Sequence, residues 1–232
     1  MLITRCHLTL HDTLYFATRE MGPLYETERY IHNYALSYAL FNDSLIKVPY
    51  FCDYYRPRYE ADLKLLNDNG IYVTPARPLR WDYVLATWKM AQDRYKLFAV
   101  RFGAPHPVTG QSTTNFPMNI GRAKELAPES EFEFFVLSEG PLRLPHWVRL
   151  GKWMSKAELV VETMDSPREK QEPFTASCPL NPLDVPSRLL VFDVISMPPV
   201  SLVMNARIEG PFYELDGGRV RLPTGMMYSF PT

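Results

Sequence analysis

Three features of the chain predict an α+β fold with more strand than helix. It opens on a segment that alternates with period two, continues through helical stripes, and then carries short strand signals separated by proline and glycine turns. In the opening segment Leu2, Cys6, Leu8 and Leu10 fall on one side and Ile3, Arg5, His7 and Thr9 on the other, the pattern of a half-buried strand. Leu14 to Ala17 is a second apolar run that reads as the return of a hairpin, and Gly22-Pro23 breaks the chain after it. From about Glu26 to Phe41 the period changes: Ile31, Tyr34, Ala35, Tyr38 and Phe41 make one helical stripe, ended by Asn42-Asp43. A second helix is expected from Pro57 through Tyr59, Leu63 and Leu66, with Asn69-Gly70 as its left-handed stop before a strand from Ile71 to Thr74. This strand–helix–strand opening is typical of ferredoxin-like folds.

Farther along, Trp81, Leu85 and Trp88 suggest a third helix over Trp81–Gln92, and Tyr95–Phe102 alternates like a strand. The polar stretch from Gly103 to Phe116, with Pro105, Pro107 and Thr109-Gly110, is long enough to be a projecting hairpin or loop. Phe132, Phe134 and Val136 alternate with acids in another strand. Leu189–Ile195 and Val200–Met204 read as strands separated by Pro198-Pro199. Asp216-Gly217-Gly218 between Pro211–Leu215 and Arg219–Leu222 is a strong hairpin signal. The 232 residues suit a single domain over 1–232, and a chain of this size buries roughly seven-tenths of its unfolded surface.

Composition excludes several classes. Hydrophobic content of 46% with 22% charged residues is a globular balance and not that of a disordered chain. The longest nearly apolar stretch, Leu189 to Ile195, is interrupted by Asp193 and is too short to span a bilayer. Arg5, His7 and Asp12 break any signal-peptide pattern, and three scattered cysteines suit a reducing compartment, so a cytoplasmic location is expected. No Walker A, GxGxxG, HExxH or GxSxG pattern occurs; no cofactor or metal site is expected.

Charge is the informative feature. There are 25 basic and 26 acidic residues, yet they are segregated along the chain. Glu125, Glu129, Glu131, Glu133 and Glu139 lie in a run without Lys or Arg, either a solvated strand face or a surface for a basic partner. The stretch Pro141 to Lys156 carries Arg143, Arg149, Lys152 and Lys156 with Trp147 and Trp153, and no acid. Cations that neutralise phosphates, interleaved with rings that stack bases, are what single-stranded RNA binding requires. The competing reading is a basic loop with both tryptophans in the core. Arg122 and Lys124 form a smaller basic group, and Arg19 opens a segment of mixed charge. His11-Asp12 is the one adjacent His–carboxylate pair, either a general base for RNA cleavage or a turn histidine.

Several blocks carry a family resemblance: Thr18-Arg-Glu-Met-Gly22, Leu24-Tyr-Glu-Thr-Glu28, Phe132-Glu-Phe-Phe-Val-Leu137, Trp147-Val-Arg-Leu-Gly-Lys-Trp-Met-Ser-Lys156, Asn181-Pro-Leu-Asp-Val-Pro186 and Ile195-Ser-Met-Pro-Pro-Val-Ser-Leu202. In this order they resemble the Cas-five-type (Csc-one) subunit of type I-D CRISPR effector complexes. The resemblance implies a RAMP-superfamily protein with a ferredoxin-like (RRM-like) core and an added β-rich, thumb-like excursion, whose tip would be the stretch around 103–116. It also implies a non-catalytic subunit of a Cascade-type complex, in antiviral defence, that binds the five-prime handle of the guide crRNA. Such a subunit caps the filament of backbone subunits and sits beside the large subunit, near entering target DNA. Pro23 departs from a position where the family often carries a basic residue, which weakens any RNA role for the segment from Arg19 to Arg29. The alternative is a metal-independent endoribonuclease acting on repeat RNA, with His11, Tyr15 and His146 as candidate acid and base.

Overall fold

The computed structural model describes residues 1–21, 24–48, 57–90 and 119–230. The strand expected at Tyr95–Phe102, the projecting stretch at 103–116, and the Gly22-Pro23 break lie outside the described residues. What is described is mostly β with two helices, an α+β arrangement.

The main sheet is built around β1 (Leu2–Leu10). β8 (Glu131–Ser138) and β10 (Ser155–Thr163) flank it, both antiparallel to it. β4 (Ile71–Val73) pairs with β8 at one edge, and β9 (Trp147–Leu150) pairs with β10 at the other, giving the order β4-β8-β1-β10-β9. β5 (Arg77–Arg80) also pairs with β8. Since β8 is antiparallel to both β1 and β4, those two run parallel with β8 inserted between them, a split β-α-β unit. The crossover contains α1 (Asn33–Phe41) and α2 (Tyr59–Asp68). Because α1 touches both β4 and β9, it lies across one face of the sheet.

A second sheet has the order β2-β3-β7-β6, from β2 (Arg19–Met21), β3 (Leu24–Glu26), β7 (Asn119–Leu126) and β6 (Tyr83–Met90). β6 and β7 pair antiparallel along their whole length, from Tyr83↔Leu126 to Met90↔Asn119. Two three-stranded sheets follow. One joins β12 (Phe174–Thr175), β14 (Leu202–Glu209) and β13 (Arg188–Ile195); the other joins β11 (Arg168–Gln171), β15 (Pro211–Leu215) and β16 (Val220–Pro223). The main buried cluster runs from Ile3 to Tyr228 and draws on the main sheet, both helices and the C-terminal strands. No helix among the described residues is long and apolar enough to cross a membrane.

Several expectations are corrected. The segment at 83–90 is strand β6 rather than a third helix: Trp81, Leu85 and Trp88 mimic a helical stripe, but pairing along all of β7 decides the conformation. Residues 26–32 are not helical, because Leu24–Glu26 is drawn into the second sheet beside β7 and the His32 side chain accepts from Tyr34 N–H as the N-cap. Leu14 to Ala17 forms no hairpin strand; its one strand-type pairing is the isolated bridge Leu14↔Leu126. In β1, Leu2 is exposed and Ile3 is buried, since the second face of the sheet is also covered at that end. The strand placed at Val200–Met204 begins at Leu202 and continues to Glu209.

The block from Asn181 to Pro186 is structural. Asp184 is buried and accepts hydrogen bonds from Asn33 Nδ2 (2.8 Å), Tyr72 OH (3.0 Å) and Ser229 N–H (3.0 Å). Tyr228 lies beside it, its backbone paired with the Asn67 amide and its hydroxyl accepting from Val73 N–H. The C-terminal segment is thereby fastened to α1, α2 and β4.

Burial pushes the Asp184 carboxyl up to about 6 from an ordinary 3.8, against the pull of those donors. Between the two values the folded chain keeps a proton that the unfolded chain releases. The contribution is therefore complete below the unfolded value and is lost as pH rises through the folded one. Asp184→Asn removes this slope, so relative stability shifts in the variant's favour by up to about 3 kcal/mol between about pH 4 and 7. Urea unfolding of both proteins across that range is the check; parallel stability curves would show that Asp184 titrates normally.

Candidate nucleic-acid interface

The β9–β10 hairpin is where the basic, tryptophan-bearing stretch folds. β9 alternates strictly: Val148 and Leu150 are buried, while Trp147 and Arg149 point outward. Register places Arg149 opposite Lys156 and Trp147 opposite Glu158. The tryptophans are not core residues: Trp147 is 41% exposed and Trp153 56%. The reading of a basic loop with buried tryptophans is thus corrected.

Trp147 is the centre of a polar and aromatic cluster. Lys156 Nζ sits 3.8 Å from its ring centroid. His11 and His146 meet its ring edge-on, with centroids 5.0 and 5.2 Å away. Glu158 Oε2 lies 3.4 Å from His11 Nε2, and its Oε1 lies 3.1 Å from His146 Nε2. Asp12 accepts from the Lys156 backbone N–H at 2.9 Å. Around Trp147 the acid-free stretch of sequence therefore acquires Glu158 and Asp12 in space. Arg149 is anchored by a hydrogen bond from Nη1 to the Met154 carbonyl at 3.1 Å.

The tip of the hairpin faces the second sheet. Trp153 stacks on Tyr15 at 5.2 Å and 22°, and its Nε1–H donates to Glu125 Oε1 at 3.4 Å. Lys152 Nζ is 5.9 Å from the Tyr15 centroid. Gly151 makes this approach possible: with φ of +72°, an added Cβ would meet Leu14 Cδ1 and the Tyr15 carbonyl at 2.7 Å. Arg143, Trp147, Arg149 and Met154 line one side of a groove of about 790 Å3, with the C-terminal end of α1 and Val48 on the other.

The remaining basic candidates lie elsewhere. Arg122 and Lys124 belong to strand β7 and not to a helix start or loop. Strand alternation puts them on the face opposite Glu125, which Trp153 touches. Register aligns Arg19 with Glu26 and Glu26 with Lys124, so Arg19 shares their face. Both are engaged: Arg19 with Glu28 at 3.1 Å, and Lys124 with Glu26 at 3.6 Å and over the Tyr83 ring at 4.3 Å. The structure thus brings Arg143, Trp147, Arg149, Lys152, Trp153 and Lys156 onto one hairpin and its adjoining groove. It leaves Arg19, Arg122 and Lys124 on a separate face.

The acidic run is divided: Glu129 and Glu139 are exposed, whereas the other three acids are paired or buried. Glu133 is buried between Arg77 Nη2 (2.6 Å) and Arg5 Nε (3.4 Å), Glu131 pairs with Arg80 (2.8 Å), and Glu125 is buried beneath Trp153. Sequence reasoning missed Glu158 altogether, and it named His11 and His146 without seeing that they share one carboxylate. The two lie far apart in sequence, and only the β1–β10 pairing brings them together. Among the described residues, no group of three or more His, Cys, Asp and Glu is arranged to hold a metal ion.

No curated protein matches the chain. Among solved structures, the chain is similar to one in a cryo-EM structure of the type III-B Cmr-beta complex bound to cognate target RNA and AMPPnP. The two are 11% identical with a TM-score of 0.41, over 88% of this chain and 86% of that one. Similarity at that level carries no argument. The model of the type I-D CRISPR-associated protein Cas5/Csc1 family, by contrast, matches residues 1–231, and the chain belongs to that family.

Proposed function

We propose that this chain is the non-catalytic subunit of a type I-D CRISPR Cascade complex that holds the five-prime handle of the crRNA. It caps the filament of backbone subunits and helps seat the large subunit where target DNA enters, in the cytoplasm. Family membership supports the setting. The observation that carries the RNA contact is the exposure of Trp147 and Trp153 among the cations of the β9–β10 hairpin. An exposed indole offers a face to an unpaired base, worth roughly 1–3 kcal/mol, and each cation that meets a phosphate releases a counterion. Strand order supports a ferredoxin-like core: β4-β8-β1-β10 follows that scheme, with the second crossover helix replaced by the segment carrying β9. The β6–β7 stem fits a thumb-like excursion.

A second reading is metal-independent cleavage of repeat RNA, and the cluster around Glu158 favours it specifically. One imidazole would take the proton of the ribose 2′-hydroxyl as its oxygen attacks the adjacent phosphorus. The other would give a proton to the departing 5′-oxygen, leaving a cyclic phosphate and a 5′-hydroxyl. His11 and His146, both held by Glu158 beside Lys156, are the pair for this chemistry. Tyr15 is not, because it is buried under Trp153 and burial pushes its hydroxyl above the ordinary range.

Two measurements test these readings. Arg149→Ala and Lys152→Ala each weaken handle binding and lower the salt slope of log affinity by roughly 0.7 per lost phosphate contact; unchanged affinity and slope in both would remove the hairpin from the interface. In EDTA, purified chain leaves repeat RNA intact. Cleavage at one position, lost in His146→Ala, would establish the ribonuclease reading in its place.

A further inference from the structure

A second depression lies next to the groove. Its volume is about 310 Å3, and the rings of Tyr34, Tyr38, Tyr59 and Phe16 line it together with His32 and Pro199. The rings contact one another: Tyr34 and Tyr59 centroids are 5.2 Å apart, and Tyr38 and Tyr59 centroids 6.2 Å. Inside, the described wall carries no charge. His32 is buried, its Nδ1 accepting from Tyr34 N–H and its Nε2 bonded to the Val200 carbonyl at 3.1 Å, and burial pushes it down to about 4, so it is neutral at physiological pH. The Tyr38 hydroxyl donates to Asp62 at 2.9 Å, which also takes Arg58. Among the described residues, the one charged residue lining this cavity is Lys152, which is exposed.

The depression and the groove are contiguous. Phe16, Ala35 and Tyr38 line both, so a strand lying along Arg143 and Arg149 passes directly over the aromatic wall. The groove side presents two arginines against one acid, Asp43. An apolar, ring-walled cavity with a cationic rim suits a flat aromatic group bearing a negative charge just outside it. The volume sits near the lower end of small-molecule pockets, roughly 300 Å3, which admits one ring system but not a chain.

We infer that this cavity, formed by Tyr34, Tyr38, Tyr59 and Phe16 with Lys152 at its mouth, receives one flipped-out nucleobase of the single-stranded RNA. The inference rests on the RNA-binding reading above. The base stacks on the tyrosine rings while its phosphate meets Lys152, and the backbone continues past Arg149. Stacking on rings accepts purine and pyrimidine alike, so the contact selects for an unpaired nucleotide rather than for a sequence.

The test uses the full chain and handle RNA in which one nucleotide at a time is made abasic. One position, and not its neighbours, weakens binding by roughly 5- to 100-fold. In the Ala35→Leu variant, where a larger side chain enters the cavity, intact RNA binds weaker by a similar factor and the abasic substitution has no further effect. Tyr59→Leu provides the same comparison should Ala35→Leu fail to fold. If intact RNA binds wild type and Lys152→Ala loses affinity, but the abasic series is flat, the hairpin contact stands and the base pocket is overturned. Full RNA affinity in both variants with loss of assembly onto the protein subunits would make the cavity a site for a partner side chain, and overturn it equally. RNA that fails to bind wild type at all overturns the RNA reading and this inference together.

Discussion

Residues 11–16 form no strand, yet the candidate interface depends on them. They are wedged between the main sheet and the second sheet and are bonded to both. Toward the main sheet, His11 N–H donates to the Lys156 carbonyl and the Tyr15 carbonyl accepts from Lys152 N–H, each at 2.9 Å. Toward the second, Leu14 and Leu126 exchange backbone hydrogen bonds at 2.9 and 3.0 Å, and Thr27 Oγ1 both accepts from and donates to the Phe16 backbone. Gly151 lets the β9–β10 tip come close enough for these bonds, because a side chain there would collide with Leu14 and the Tyr15 backbone. The same short segment supplies His11 to Trp147, Tyr15 to Trp153 and Phe16 to both cavities. A backbone without secondary structure of its own is thus hydrogen-bonded to both sheets, and it fixes where the indoles and cations stand.

The two helices have a similar double use. In α1, Leu36 and Leu40 are fully buried in the core, while Ala35 and Tyr38 are only half-buried and line the cavities. A helix caught between a sheet and a ligand-sized cavity is apolar on both sides, so its sequence does not divide into a core stripe and a solvent stripe. Of the stripe seen in the sequence, Ile31, Tyr34 and Phe41 lie in the core, while Ala35 and Tyr38 are half-buried and line the cavities.

That contrast accounts for what the sequence disclosed and what it hid. The central strand, α2 with its Gly70 stop, β8 and the 211–222 hairpin are set by local pattern and turn chemistry, and they are legible within a few residues. The outward face of β9 was not legible, because the spacing of Trp147 and Trp153 fits an exposed strip and a core-packed loop alike. The strand at 83–90 was not, because its helical-looking spacing is overridden by eight residues of pairing with β7, a partner some thirty positions on. The Glu158 cluster and the shared wall of the two cavities were invisible for a stronger reason. Each joins side chains from strands and loops that only the completed sheet brings together, and no residue-level period reports that.

The near-zero net charge is compatible with a polyanion ligand because several acids are paired with cations away from the hairpin. Glu133 and Glu131 neutralise Arg5, Arg77 and Arg80 on the main sheet, and Glu26 and Glu28 neutralise Lys124 and Arg19 on the second. At physiological salt, pairs such as these are screened from the hairpin beyond about 8 Å. Within that range the cations of β9–β10 face Glu158 and Asp12, and Glu158 is itself shared by two histidines. What remains outward is a small positive field centred on Arg143, Arg149 and Lys152, flanked by two indoles. Such a field suits a grip on a few nucleotides and is too narrow to hold a duplex, whose continuous phosphate charge favours an extended basic face. The local distribution of charge, rather than its sum, sets the class of ligand this surface accepts.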